Sequence, residues 1–138
     1  MKRKWLTIIC TVMMVIGLCA CGGTKELSEA FDEAAVKASA EELIGFINED
    51  DVEGFCAVPM SADMQEAMTV ESVGQIFDQY LGKKGDFVEY NSIAVVGATD
   101  KTFGECAIVV AVAEYENLKV QYTISYDTDM NMIGFFLK

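Results

Sequence analysis

Two cysteines that stand one residue apart, Cys19 and Cys21, have the spacing that most directly suggests chemistry. They end an apolar run, Trp5 to Ala20, which carries no charge. Such a pair could ligate a metal, form a disulfide or accept a covalent modification. A zinc site needs further cysteine or histidine ligands, and the chain has no histidine. Because neighbouring cysteines in one helical segment point in different directions and pair poorly, covalent modification is favoured.

The N-terminal segment has the layout of an export signal, with a basic start followed by the apolar run. The run is sixteen residues long, whereas a permanent membrane span needs about twenty. Its end, Leu18-Cys19-Ala20-Cys21, resembles the bacterial lipobox. That resemblance implies cleavage between Ala20 and Cys21, with a diacylglyceryl group on Cys21 as the new N-terminus. We therefore expect a lipoprotein signal peptide over residues 1–20 and an anchor on the extracytoplasmic face of the cell membrane, with an uncleaved anchor or plain secretion as the alternative.

Cleavage would leave a strongly acidic domain. The chain has 10 basic and 22 acidic residues, and loss of Lys2, Arg3 and Lys4 leaves 7 against 22, a formal charge of −15. Nucleic acid binding depends on cations that neutralise phosphates, so this charge excludes a nucleic acid partner. Anionic lipid headgroups would also repel the domain, so the lipid on Cys21 would have to hold it at the membrane.

The remaining candidates for chemistry are two cysteines and five tyrosines. Without histidine, the chain has no Ser-His, Cys-His or His-metal site. Cys56 and Cys106 could form a disulfide in an exported protein or remain as two buried thiols. A tyrosine paired with a carboxylate could exchange protons, but no spacing singles out a pair among Tyr80, Tyr90, Tyr115, Tyr122, Tyr126, Asp78, Asp86 and Glu114. We therefore predict no catalytic residue, no metal ligand and no cofactor.

Helical patterns occupy the first half of the chain. Apolar residues spaced three and four apart predict an amphipathic helix from Glu26 to Asn48. The acidic segment that follows it is interpreted as a solvated turn rather than a calcium site. A stripe of three methionines, Met60, Met64 and Met68, is interpreted as core. Thr69 is the expected N-cap of a helix over Val70 to Leu81, with Tyr80 on its buried face.

After Asp86 the pattern changes to the alternation of strands. Four strands are predicted within residues 86–98, 102–115, 118–127 and 132–138, joined as an antiparallel meander. The second strand is apolar on both faces, which predicts a place in the middle of the sheet. Asp127, Asp129 and Asn131 imitate a calcium loop, but Met132 replaces the required glycine, so we predict a hairpin turn. The sequence thus predicts a lipidated cysteine and short tether over residues 21–25 and one α+β domain over 26–138.

The order of these segments resembles the bacterial domain-of-unknown-function family 3887. The resemblance is carried by the lipobox and by "FINEDDVEGF", "VPMSADMQEAMTVESVGQIFDQYLGKKGDF" and "VQYTISYDTDMNMIGFFLK", and it covers about residues 28–138. It implies a nuclear transport factor 2-like or cystatin-like cone, in which N-terminal helices pack on a curved antiparallel sheet of about four strands. The family has no catalytic signature, so the resemblance implies no reaction.

Together these features favour a membrane-anchored binding or accessory domain for a protein or small ligand. One alternative is a small hydrolyase or isomerase that uses a tyrosine and a carboxylate inside the cone. A further alternative is a structural envelope module that forms a homodimer, favoured if the outer sheet face is flat and apolar.

Overall fold

The computed structural model describes residues 25–138, in which helices come first and strands follow. The helices are α1 (Glu33–Asn48), α2 (Val52–Cys56), α3 (Ala62–Ala67) and α4 (Val70–Ile76), the last continued by a π-helical segment (Phe77–Leu81). The strands are β1 (Phe87–Asp100), β2 (Gly104–Tyr115), β3 (Lys119–Tyr126) and β4 (Met132–Leu137). They form one antiparallel sheet in the order β1-β2-β3-β4. The predicted α+β class and the meander of four strands are confirmed.

Each helix begins at a side-chain oxygen that accepts a hydrogen bond from the backbone of the first turn. The caps are Asp32, Asp51, Ser61 and Thr69. The apolar pattern predicted a helix from Glu26, but α1 begins at Glu33 because Asp32 caps it there. The residues just before the cap form a turn, in which the Phe31 backbone N–H donates to the Ser28 carbonyl at 3.1 Å. No helix among residues 25–138 combines the length and apolar character that crossing a membrane requires.

Strand β2 lies between β1 and β3, as its two apolar faces predicted. Its odd-numbered residues face the helices and join the core; they are Ala107, Val109, Ala111, Ala113 and Tyr115. Its even-numbered residues lie on the opposite, outer face of the sheet, since side chains alternate along a strand. Strand β3 continues the inner face with Val120, Tyr122, Ile124 and Tyr126, all of them buried.

The core fills the space between the helices and the inner face of the sheet. Helix α1 contributes buried residues at the predicted spacing, namely Val36, Ala40, Leu43, Ile44 and Ile47. Met60 is buried, and Met64 and Met68 pack against the core, so the methionine stripe is part of it. The ring of Phe55 joins three elements, because it lies edge-on to Phe77 at 5.7 Å and to Phe135 at 5.2 Å between ring centroids.

The π-helical segment turns Tyr80 away from the core. The sequence predicted a regular helix with Tyr80 on its buried face, and that prediction is wrong, because the side chain is 61% exposed. A π-helix has a wider turn than an α-helix. Phe77 and Leu81, four residues apart, are therefore both buried, and Asp78 to Tyr80 all face outward.

The described chain enters the fold at the edge of β1. Lys25, which the sequence assigned to the tether, exchanges two backbone hydrogen bonds with Gly97, at 2.9 and 2.8 Å. The chain then crosses the inner side of β1 so closely that a Cβ atom on Gly97 would overlap the Glu26 carbonyl oxygen and lie 3.1 Å from the Leu27 Cα. Only glycine fits at this crossing.

Candidate functional site

A buried polar network lies where the end of α1 meets β2 and β3. The Tyr115 hydroxyl donates to the Asn48 side-chain oxygen at 2.6 Å. The hydroxyls of Tyr115 and Tyr122 lie 2.8 Å apart. Because Tyr115 has already donated its one proton, Tyr122 must be the donor between them. The result is a chain of hydrogen bonds that runs from Tyr122 through Tyr115 to Asn48.

Lys84 is the buried charged residue beside this network. It is 5% exposed, and no other charged residue between 25 and 138 is buried. Its Nζ lies 3.2 Å from the Asp50 carboxylate and 5.8 Å from the centroid of the Tyr115 ring. The aliphatic stem is thus packed inside, and the ammonium group meets a carboxylate that faces solvent.

Burial controls the protonation of the tyrosines. It raises the pKa of Tyr90 to about 12, with the nearby Glu41 carboxylate as a second cause. Burial also raises the pKa of Tyr115, Tyr122 and Tyr126, and for Tyr122 the hydrogen bond that it donates to Tyr115 adds to the increase. At neutral pH these hydroxyls therefore stay protonated, and those of Tyr115 and Tyr122 act as hydrogen-bond partners rather than as bases.

The structure joins the predicted tyrosines to an amide rather than to a carboxylate. Within residues 25–138 no tyrosine hydroxyl donates to an aspartate or glutamate; Tyr115 reaches Asn48 instead. Tyr80, Asp78 and Asp86 are exposed. Glu114 lies 3.7 Å from Lys119 in an ion pair.

Two residues of the site, Asn48 and Lys84, have no local signal in the sequence. Asn48 is 67 residues from Tyr115, and Asp50 is 34 residues from Lys84. The sequence predicts Asn48 only as the end of a helix, and no prediction concerns Lys84. Their proximity depends on how α1 packs across the sheet, which periodicity along the chain does not encode.

The acidic segments form turns stabilised by their own side chains. The Asp127 carboxylate accepts the backbone N–H groups of Asp129 and Asn131 at 3.0 and 2.8 Å, which confirms the predicted hairpin turn. In the turn after α1, the Asp51 carboxylate accepts the Gly54 N–H at 2.9 Å. Residues 25–138 contain no cluster of three or more acidic, cysteine or histidine side chains that could hold a metal.

Both described cysteines are free thiols. Cys56 packs against the core on the helical side of the sheet. Cys106 is an even-numbered residue of β2 and lies on the outer side, paired in register with Ala98. The sheet therefore separates the two sulfurs. Burial raises the pKa of both thiols, so neither is an activated thiolate.

Tyr115→Phe should destabilise the domain more than Tyr122→Phe does. Loss of the Tyr115 hydroxyl removes a partner from both Tyr122 and Asn48, and we expect it to cost about 2–3 kcal/mol of stability. Loss of the Tyr122 hydroxyl leaves Tyr115 bonded to Asn48 and should cost about 1 kcal/mol. Urea unfolding of both single variants and of the double variant measures these free energies of unfolding. The double variant should cost less than the sum of the single variants. Equal costs for the two single variants would contradict the central place of Tyr115 between Tyr122 and Asn48.

A family model described as "Protein of unknown function (DUF3887)" matches residues 40–135. The chain belongs to the DUF3887 family. The match begins within α1 and ends within β4, so it includes every member of the polar network. The family that the sequence segments resembled is thereby confirmed.

A solved structure supports the same fold for this DUF3887 domain. The domain is similar to the NMR structure of a protein from Ruminococcus gnavus ATCC 29149, with 31% sequence identity and a TM-score of 0.67. The similarity covers 82% of this chain and 96% of that one. No curated protein matches the chain.

Proposed function

We propose that this DUF3887 protein is a bacterial lipoprotein whose domain binds a protein or small ligand at the extracytoplasmic face of the cell membrane. The lipobox-like Leu18-Cys19-Ala20-Cys21 at the end of an apolar run carries the proposal of an anchor. These residues lie outside the described part of the chain. A diacylglyceryl group supplies two acyl chains, which makes an anchor durable where one chain is marginal.

The finer fold that we propose is a nuclear transport factor 2-like cone. Two features support it. Small residues on the inner face, Ala107, Ala111 and Ala113, allow helices to approach the sheet closely. Strand β1 also has two register shifts, between Phe87 and Glu89 and between Tyr90 and Ser92, and bulges of this kind bend a sheet.

The observation that carries the binding role is the exposed Tyr80. Aromatic side chains are enriched in protein interfaces, and π-helical segments are frequent at functional sites. The polar network has a different role, because its groups already bond to one another. It ties α1, the turn at Lys84 and the sheet together, and so it fixes the surface that presents Tyr80.

Intact mass of the membrane-extracted protein tests the anchor. We expect the wild-type chain to begin at Cys21 with a diacylglyceryl group, and Cys21→Ala to keep its signal and lack the lipid. An intact signal and an unmodified Cys21 in the wild type would refute the anchor. The same spectra, recorded after alkylation without reduction, should show Cys56 and Cys106 both labelled in the denatured protein, since both are free thiols.

A photo-reactive phenylalanine analogue at position 80 tests the binding role in intact cells. We expect a discrete crosslinked adduct there, because Tyr80 is exposed on the proposed interface. Position 70 is the matched control, since Val70 is 54% exposed at the start of the same helix. Equal labelling at both positions, or none at either, would count against a binding surface at Tyr80.

A homodimer is the second candidate, because the outer sheet face carries no charge between the strand ends. Its residues in register are Ser92, Ala94, Val96, Ala98, Cys106, Ile108, Val110, Val112, Gln121, Thr123, Ser125, Gly134 and Phe136. Over β1 and β2 the face is apolar except for Ser92, and β3 adds polar groups. Phe136 is 70% exposed. A dimer that appears with concentration in sedimentation and disappears in Phe136→Asp would favour this role over the first.

A further inference from the structure

The attachment of the chain to β1 limits how the domain can stand on a membrane. Lys25 is held by two backbone hydrogen bonds to Gly97, and its ammonium group lies 2.8 Å from the Glu105 carboxylate near the start of β2. Cys21 precedes Lys25 by four residues, which span at most about 14 Å when fully extended. A lipid on Cys21 therefore stays within that distance of Lys25.

The two ends of the sheet lie at very different distances from this point. Strand β1 ends three residues after Gly97, about 10 Å along the strand, and the turn to β2 begins there. Ala107 pairs with Gly97, and Tyr115 lies eight residues further along β2, at roughly 26 Å. Lys84 contacts Tyr115, so the polar network occupies the far end.

We propose that the turn between β1 and β2 faces the lipid bilayer and that the polar network faces away from it. This orientation rests on the proposed lipid at Cys21. It places Tyr80, four residues before Lys84, at the end of the domain where partners can approach without meeting lipid.

The most acidic turn of the domain lies at the far end. The turn after α1, at the far end, carries Glu49, Asp50, Asp51 and Glu53, which anionic headgroups would repel. At the near end, Glu105 pairs with Lys25. The Asp100 carboxylate accepts the backbone N–H groups of residues 102 and 103, and Lys101 lies beside it. The turn that begins at Asp127 also lies toward this end, and it carries two carboxylates, Asp127 and Asp129, against the four of the turn after α1.

Single tryptophans can report the orientation, because the chain has one tryptophan, Trp5, which leaves with the signal. Thr102→Trp marks the near turn and Lys83→Trp the far end, both at exposed positions. The lipidated proteins are placed in phosphatidylcholine vesicles with nitroxide-labelled headgroups, which quench fluorescence at the membrane surface. Thr102→Trp should lose most of its fluorescence relative to unlabelled vesicles, and Lys83→Trp should keep it.

Two outcomes separate failure of the orientation from failure of the anchor. If the intact mass shows the lipid on Cys21 and Lys83→Trp is quenched as strongly as Thr102→Trp, the orientation is wrong. If the mass shows no lipid and the protein does not float with the vesicles, the anchor itself is wrong, and the orientation falls with it.

Gly97→Val tests whether the crossing at β1 sets the orientation. Its side chain would displace residues 26 and 27 and so release the tether. The two tryptophans should then differ less in how strongly the labelled headgroups quench their fluorescence. Lys25→Pro, which removes the donor to the Gly97 carbonyl, is the second variant if Gly97→Val does not fold. If a folded variant keeps the wild-type difference in quenching between the two tryptophans, the crossing at β1 does not set the orientation.

Discussion

The domain should lose stability steeply as the pH rises above about 10, the ordinary pKa of tyrosine. Tyr115, Tyr122 and Tyr126 are buried, and burial raises the pKa of each in the folded state. Above that pH the unfolded chain releases these protons and the folded chain keeps them, so the free energy of unfolding falls. Each tyrosine that is still protonated in the folded chain contributes a slope of about 1.4 kcal/mol per pH unit. Tyr90 adds to this slope up to its pKa of about 12. A domain of ordinary stability, about 5–15 kcal/mol, would unfold within a few pH units.

Urea unfolding at a series of pH values measures this slope directly. Tyr122→Phe should lower the slope by about 1.4 kcal/mol per pH unit, since the unfolded variant has one fewer hydroxyl to release a proton. Phe136→Ala, at a 70% exposed position without a titratable group, is the control and should keep the wild-type slope. A stability that stays constant from pH 9 to about 11 would contradict the burial of these hydroxyls.

Phe55→Ala should destabilise the domain by about 3–5 kcal/mol. Phe55 is 1% exposed, and its ring lies against Phe77 of the π-helical segment and Phe135 of β4. Its removal leaves a cavity where three elements meet, and both edge-to-face contacts are lost. The neighbouring rings belong to different elements, so the site cannot collapse without moving one of them.

Phe136→Ala is the control for the loss of a phenyl ring. Phe136 is adjacent to Phe135 but 70% exposed on the outer face, so its removal should change stability by less than about 0.5 kcal/mol. Thermal or urea unfolding of the two variants provides the comparison. Equal destabilisation would show that Phe55 is not the centre of the core.

The two ends of the sheet have separate roles in the proposed lipoprotein. The end at Gly97 receives the chain from the anchor, and the end at Tyr115 holds a buried ammonium group and a chain of hydroxyls. The network links α1, the turn at Lys84 and the sheet. A movement of any one of them at the far end would therefore have to break hydrogen bonds or contacts to the other two. Tyr80 would then be a fixed contact rather than a mobile one.

The sequence by itself determined the elements of this protein and their order. Alternation over residues 118–127 predicted one buried face, and β3 buries Tyr122 and Ile124 on it. The doubly apolar second strand predicted the centre of the sheet, and Thr69 predicted the start of a helix. These predictions succeeded because periodicity and capping act between residues a few positions apart. The predicted lipid attachment at Cys21 also rests on the sequence alone.

The tertiary structure decided which distant residues meet. It joined Asn48 to Tyr115 and Lys25 to Glu105, pairs that are 67 and 80 residues apart. It placed the two free cysteines on opposite sides of the sheet and turned Tyr80 outward through a change of helical pitch. Such contacts depend on how α1 packs across the sheet and where the chain crosses β1, and the local pattern of residue types does not specify either.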